Sequence, residues 1–265
     1  MAKIITIANQ KGGVGKTTLT INLGISLSRM GKRVCLIDCD PQANLTMILG
    51  YHKPNTLPVT LPQLILDLAN SDFKPEQSEL LKKREYILRG LNIDFIPSSI
   101  KLTGVENIII NEINRENVLK KIISCIKDDY DYILIDTMPS LNLITVNALN
   151  AADSVIIPMQ SHYLSAKGLE LLLTTIERIK ESLNPNLTVS GILITMYDNR
   201  LTFHKEIIDT ISETYDDIKI FKTKIPVSVR VTETQAKSAS IFDYDPDGKV
   251  SKSYEQFAKE FISNE

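Results

Sequence analysis

The 265-residue sequence carries almost no net charge: 30 Lys and Arg stand against 32 Asp and Glu, a formal balance of −2. Bulk electrostatics therefore gives no reason to expect a polyanionic partner, and any nucleic-acid contact has to come from a local patch. Cysteine is scarce. Cys35, Cys39 and Cys125 form no CxxC pair and are too few for a disulfide framework or a cysteine-rich metal site. Cys35 and Cys39 flank an apolar run, where a free thiol behaves as a small hydrophobe. Reduced thiols fit a cytoplasmic protein. Only three histidines occur, His52, His162 and His204, each isolated and read as a surface or packing residue. No apolar stretch reaches bilayer-spanning length, and nothing resembles a signal peptide. Internal repeats and low-complexity linkers are also missing. What remains is ordinary globular composition, 43% hydrophobic and 23% charged, on a chain long enough for a well-filled core.

Short β-branched runs alternate with helical periodicity. Residues 3–9, 33–38, 92–97, 130–137, 154–160, 189–197 and 218–226 read as strands, several with apolar residues on both faces. Residues 15–31, 116–130, 165–185, 205–215 and 253–263 read as helices. This alternation predicts an α/β fold, a mostly parallel twisted sheet with helices on both faces. One domain over 1–265 is expected. Residues 51–91 are its least regular part, an insertion-like segment in which Pro54, Pro58, Pro62 and Pro75 interrupt the periodicity.

"QKGGVGKT" (10–17) lies between the first strand and the first helix, the context of a phosphate-binding loop. Gly12, Gly13 and Gly15 allow several backbone N–H groups to face one anion, and the helix N-terminus adds its dipole. Lys16 is expected on the β- and γ-phosphates and the Thr17 hydroxyl on Mg²⁺. The first glycine of the usual GxxxxGK pattern is replaced by Gln10, and a second lysine, Lys11, precedes the glycines. Two further segments end strands in carboxylates. "VCLIDCDPQANLT" (34–46) supplies Asp38 and Asp40, and "YDYILIDTMPS" (130–140) supplies Asp136, a Walker B carboxylate that would hold Mg²⁺ directly or through a water.

The KGGVGKT loop resembles the deviant Walker A loop of the ParA/MinD superfamily of P-loop ATPases. That resemblance implies that Lys11 crosses a nucleotide-sandwich homodimer to the partner's phosphates. It also implies that Asp40 positions or polarises the attacking water and can reach Mg²⁺ through a water. Lys11, Lys16 and Asp40 are then the catalytic residues. Lys11, Gly12, Gly13, Val14, Gly15, Lys16, Thr17 and Thr18 hold ATP. Met138 departs from the family's double proline, whereas Pro139 keeps it.

Residues 146–180, "GILITMYDNR" (191–200) and "KTKIPVSVRVTET" (222–234) look like the ParA/Soj partition branch. By that match Pro226 and Ser228 line the base, Ser228 standing where the branch usually has Asn. The resemblance further implies sequence-independent binding of double-stranded DNA by the ATP dimer, through Arg200, Lys222, Lys224 and Arg230. The run 218–230 holds Lys219, Lys222, Lys224 and Arg230 and no acid, although Val227 replaces a commonly basic residue. A ParB-type centromere-binding protein is the expected stimulator of an otherwise slow hydrolysis. Nucleoid association is expected in the ATP state. The chain starts at its phosphate strand, so no helix-turn-helix extension is expected. A MinD-like membrane-cycling ATPase is the alternative, but the acidic C-terminal helix argues for packing on the core rather than on a membrane. The cysteines do not suit the cluster of a nitrogenase-type iron protein, and no substrate motif marks a metabolic ligase.

Overall fold

The computed structural model describes residues 1–161 and 165–264. Among them seven strands form one sheet: β1 (Lys3–Ile7), β2 (Val34–Cys39), β3 (Leu88–Gly90), β4 (Ile93–Ile96), β5 (Tyr132–Thr137), β6 (Ser154–Gln160) and β7 (Thr188–Thr195). Their order is β3-β4-β2-β5-β1-β6-β7, parallel except for the β3–β4 hairpin. Strands β2 and β5 are buried along their whole length, which explains their unbroken apolar character up to the terminal carboxylates.

The first half of the chain supplies α1 (Lys16–Arg29), α2 (Asn44–Ile48), α3 (Leu61–Asn70), α4 (Glu79–Lys83), α5 (Leu102–Ile109) and α6 (Val118–Ser124). The second half supplies α7 (Leu143–Ala151), α8 (Ser165–Ser182), α9 (Thr202–Thr214), α10 (Val229–Ala236), α11 (Ile241–Tyr244) and α12 (Lys249–Ser263). One face of the sheet packs on α3, α5, α6 and α7 through residues such as Leu64, Leu68, Val105, Ile122 and Ala148. The other face packs on α1 and α12 through Leu19, Leu23, Phe257 and Phe261. A third cluster, with Leu172 and Ile176 of α8 and Ile211 of α9, closes the β6–β7 flank. The expected two-sided α/β architecture is present.

Two readings of the sequence are corrected. Three of the four prolines of 51–91, Pro54, Pro62 and Pro75, start helical turns instead of breaking them. Pro54 and Pro75 open 3₁₀ turns, and Pro62 lies in the first turn of α3, where a missing N–H costs nothing. Thr60 and Gln63 cap α3 reciprocally, and its Leu61, Leu64, Ile65 and Leu68 are core residues.

The second correction concerns 218–226, which forms no strand of its own. It touches the β7 edge through isolated bridges at Ile192–Ile220 and Tyr197–Pro226. Between these points the amides of Lys222 and Thr223 donate to the Glu260 carboxylate of α12, at 2.7 and 2.8 Å, so no ladder can run through them. Phe221 is turned into the core, edge-on to Phe257 at 5.0 Å. Smaller differences are that β3 and the helices α3 to α5, α7, α10 and α11 had no counterpart in the sequence reading. His162 lies outside the described residues.

The close approach of this segment to β7 requires a glycine. Gly191, at φ +145, sits where the β6–β7 register slips by one residue, and a Cβ there would lie 2.7 Å from the Lys219 carbonyl oxygen. Gly191→Ala is expected to destabilise the protein by about 1–3 kcal/mol, read as a lower urea midpoint with an unchanged slope.

Candidate active site

The loop between β1 and α1 leaves the carboxyl edge of the sheet, the edge where open parallel sheets bind ligands. Gly13 and Gly15 hold φ of +72 and +89, and Gly15 is the N-cap of α1. The loop is braced from three strand ends. Asn9, next to β1, accepts from the Lys11 amide at 2.9 Å and donates to the Pro158 carbonyl at 2.8 Å. Gln160, at the end of β6, donates to the Gly13 carbonyl at 2.9 Å, and Thr195, at the end of β7, donates to the Val14 carbonyl at 2.8 Å. Lys16 is buried and its Nζ donates to the Lys11 carbonyl at 3.2 Å.

Below the loop lie the three expected carboxylates. Asp38 and Asp136 are register partners on β2 and β5, and both are fully buried. Asp136 accepts from the Thr17 hydroxyl at 2.6 Å and, more distantly, from that of Thr20 at 3.4 Å. Burial raises the Asp136 pKa well above the usual carboxylate range, Asp38 adds to this, and Thr17 and Lys16 oppose it. Asp38 is pushed up to about 6, mainly by burial, against the pull of hydrogen bonds from Thr46 and Asp40. Lys16 is lowered by burial, while the charges of Asp136 and Asp40 draw it back. Asp40, also buried, accepts from the Gln42 amide at 2.8 Å, which shapes its own loop.

An open cleft of about 1210 Å³ lies over these groups. Gly12, Gly13, Gly15, Lys16, Thr17 and Thr18 form its floor, and Asp40 is on one wall. Pro226, Ser228 and Met196 line the cleft as well. Val14 has its side chain in the core, so only its backbone is available to the site. Asp136 lies beneath the floor and is reached through Thr17. Ser228 is also the N-cap of α10, its Oγ accepting from the Arg230 amide at 3.2 Å.

Converging amides, a lysine and a helix N-terminus suit a polyphosphate. The Thr17 hydroxyl beside a carboxylate suits a hard cation with oxygen ligands. Among the described residues no cluster of three His, Cys, Asp or Glu forms a cation cage. A small cation here would complete its shell from phosphate oxygens and water, the normal habit of Mg²⁺.

Of the four expected DNA-contacting cations, Arg200, Lys222 and Arg230 are exposed and Lys224 is half-buried, and the Tyr197–Pro226 bridge joins the segment after β7 to the one that carries Lys222 and Lys224. The fold supplies the acids that the run 218–230 lacks. Arg200 makes a bidentate pair with Asp198, Nη2 to Oδ2 at 2.6 Å, and this arginine holds the Asp198 carboxyl down at about 2. Arg230 pairs with Glu233 at 3.1 Å. Lys224 places its Nζ 4.6 Å from the Tyr197 ring centre.

Residues 2–189 match the family described as an AAA domain. The chain is 40% identical over 264 residues to the sporulation initiation inhibitor protein Soj of Bacillus subtilis, covering 100% of both chains. It is 38% identical to the chromosome-partitioning ATPase Soj of Treponema pallidum, over 100% of this chain and 99% of the other. The chain belongs to the ParA/Soj family of partition ATPases. Among solved structures, a cobyrinic acid a,c-diamide synthase from Mycobacterium smegmatis with bound ADP and magnesium superposes with a TM-score of 0.82. The two are 31% identical over 98% of this chain and 93% of that one.

For a ParA/Soj chain, the residues that the sequence reading missed are the loop braces Asn9, Gln160 and Thr195. Gln235, whose Nε2 donates to the Thr18 hydroxyl at 2.8 Å, was missed as well. Polar residues at the carboxyl ends of β6 and β7 were the available signal. Asn9→Ala leaves the Lys11 amide and the Pro158 carbonyl without their partner, and is expected to cost roughly 1–3 kcal/mol. Thermal unfolding should show the lower Tm, and titration with a fluorescent nucleotide should show weakened binding.

Proposed function

We propose that this chain is an ATP-driven partition switch, a single ATPase domain over residues 1–265 with ATP and Mg²⁺ as its ligands. The observation that carries this reading is the doubled lysine loop. Lys16 faces the cleft beside Thr17 and the buried Asp136, and the Lys11 backbone is fixed at its amide by Asn9 and at its carbonyl by Lys16. Lys16 and the loop amides bind the phosphates, and Thr17 and Asp136 hold the cation. Asp40 orients the attacking water. Mg²⁺, when bound, supplies neutralising charge across the β- and γ-phosphates. Lys11 extends to the nucleotide of a second copy, so that pairing follows the fuel state. No arginine finger is assigned among these residues, and hydrolysis is slow until a ParB-type partner accelerates it.

In the paired state Arg200, Lys222, Lys224 and Arg230 of two copies form one surface for duplex DNA without base readout. The chain then resides on the nucleoid within the cytoplasm, and hydrolysis releases it. The membrane-cycling alternative requires a free amphipathic helix. The apolar face of α12, Val250, Tyr254, Phe257 and Phe261, is buried against the sheet, and no described helix is long and apolar enough to cross a membrane.

Gel-shift titrations of random duplex DNA test the switch. Binding is expected with ATP and Mg²⁺, absent with ADP, and lost in Lys11→Ala and in Arg230→Ala. The logarithm of affinity should fall with log salt by about 0.9 per phosphate contact. Binding that ignores the nucleotide overturns the proposal.

A further inference from the structure

We propose that Thr46 is a positioning residue for hydrolysis, holding the loop that carries Asp40 in its working geometry. The inference rests on the reading of Asp40 as the water-orienting group.

Thr46 is fully buried and uses every polar group it has. Its amide and its hydroxyl both donate to Asp38 Oδ2, at 3.0 and 2.7 Å. The same hydroxyl oxygen accepts from the Ser98 amide at 3.0 Å. Asp38 Oδ1 in turn accepts from the Asp40 amide at 3.1 Å. One buried carboxylate thus ties down the segment 40–46 at both ends, and Thr46 ties that segment to the stretch following β4.

The local sequence cannot hold this loop by itself. Ala43, the N-cap of α2, has no side chain that can cap and sits at φ +53. The amide at the third position of α2, that of Thr46, finds its acceptor in Asp38 on the preceding strand β2. The stretch after β4 is itself anchored, since Ser99 Oγ lies 3.1 Å from the Thr60 hydroxyl and the Pro97 carbonyl accepts from the Leu61 amide at 2.7 Å. The hydroxyl of Thr46 is the link between this anchored stretch and Asp38. Its single proton goes to Asp38 and its lone pair to Ser98, so its orientation is fixed.

Valine copies the shape of threonine but can neither donate nor accept. Thr46→Val removes one of three donors from Asp38 and leaves the Ser98 amide unpaired in the interior, which loosens the loop at Asp40. Small displacements of a water-orienting group have large rate effects.

The test is ATP hydrolysis by the full chain, with kcat and KM determined separately for Thr46→Val and Thr46→Ser. Thr46→Val is expected to lose about 10- to 100-fold in kcat, with KM changed less than about threefold, and Thr46→Ser, which keeps the hydroxyl, to recover most of the rate. Hydrogen exchange should show the Asp40 and Thr46 amides losing protection in Thr46→Val while those of β6 keep theirs. If Thr46→Val does not fold, Thr46→Ala is compared with Thr46→Ser in the same way. Wild-type kcat in Thr46→Val, or an equal loss in Thr46→Ser, overturns the inference. Asp40→Ala separates the two claims. Wild-type hydrolysis in that variant refutes the reading of Asp40 itself, whereas an inactive Asp40→Ala beside a fully active Thr46→Val refutes the role of Thr46 alone.

Discussion

Asp38 and Asp136 stand opposite one another on adjacent strands, both fully buried. Two bare carboxylates in that position would cost several kcal/mol each and would repel one another as well. The surrounding structure is organised around relieving that cost. Asp38 receives three donors from the segment 40–46. Asp136 receives the hydroxyls of Thr17 and Thr20 and the field of Lys16. The compensation is incomplete, as the raised pKa of both acids and the lowered pKa of Lys16 record. A site that is short of positive charge beneath its floor and rich in N–H donors above it is balanced by a cation and a polyphosphate arriving together. This electrostatic strain lies at the position where the ligand belongs.

The same sheet edge explains why the phosphate loop can be rigid although it contains three glycines. Loop entropy is removed by side chains that reach in from strand ends far away in sequence. Gln160 and Thr195 hold successive loop carbonyls, and Asn9 holds the Lys11 amide against β6. Each brace stands at the carboxyl end of a parallel strand, so pairing of β1, β6 and β7 places the braces without any local sequence pattern. Loop geometry is therefore a consequence of sheet register.

That distinction sets what the sequence could reveal. The phosphate loop, Lys16, Thr17, Asp38, Asp40 and Asp136 were legible because each lies in a short contiguous pattern at a strand end. The α/β architecture was legible because alternating periodicities extend over whole elements. The helical character of 51–91 was obscured because proline was counted as a breaker, whereas Pro62 sits in a first turn with Thr60 and Gln63 as its cap. The segment 218–226 has the composition of a strand, and only the Glu260 carboxylate, almost forty residues further along the chain, diverts its amides. Thr46 gave no signal, because Ser98, the partner that makes it a link, is 52 residues away and meets it only in the folded core.

The counter-ions on the basic surface bear on the proposed cycle in the same non-local way. Counted from the sequence, Arg200, Lys222, Lys224 and Arg230 are four positive charges. In the fold, Asp198 and Glu233 neutralise the two arginines. Exposed pairs of this kind are weak, so phosphate can displace the acids, but displacement subtracts from the gain at each contact. On the proposed reading, one copy would have only a shallow attraction for DNA. Two copies on one duplex combine shallow attractions multiplicatively, and the second set of contacts forms at high effective concentration. On the proposed cycle, a surface whose two arginines are already paired within one copy would let pairing at the nucleotide decide when DNA is held, with no change in the surface itself.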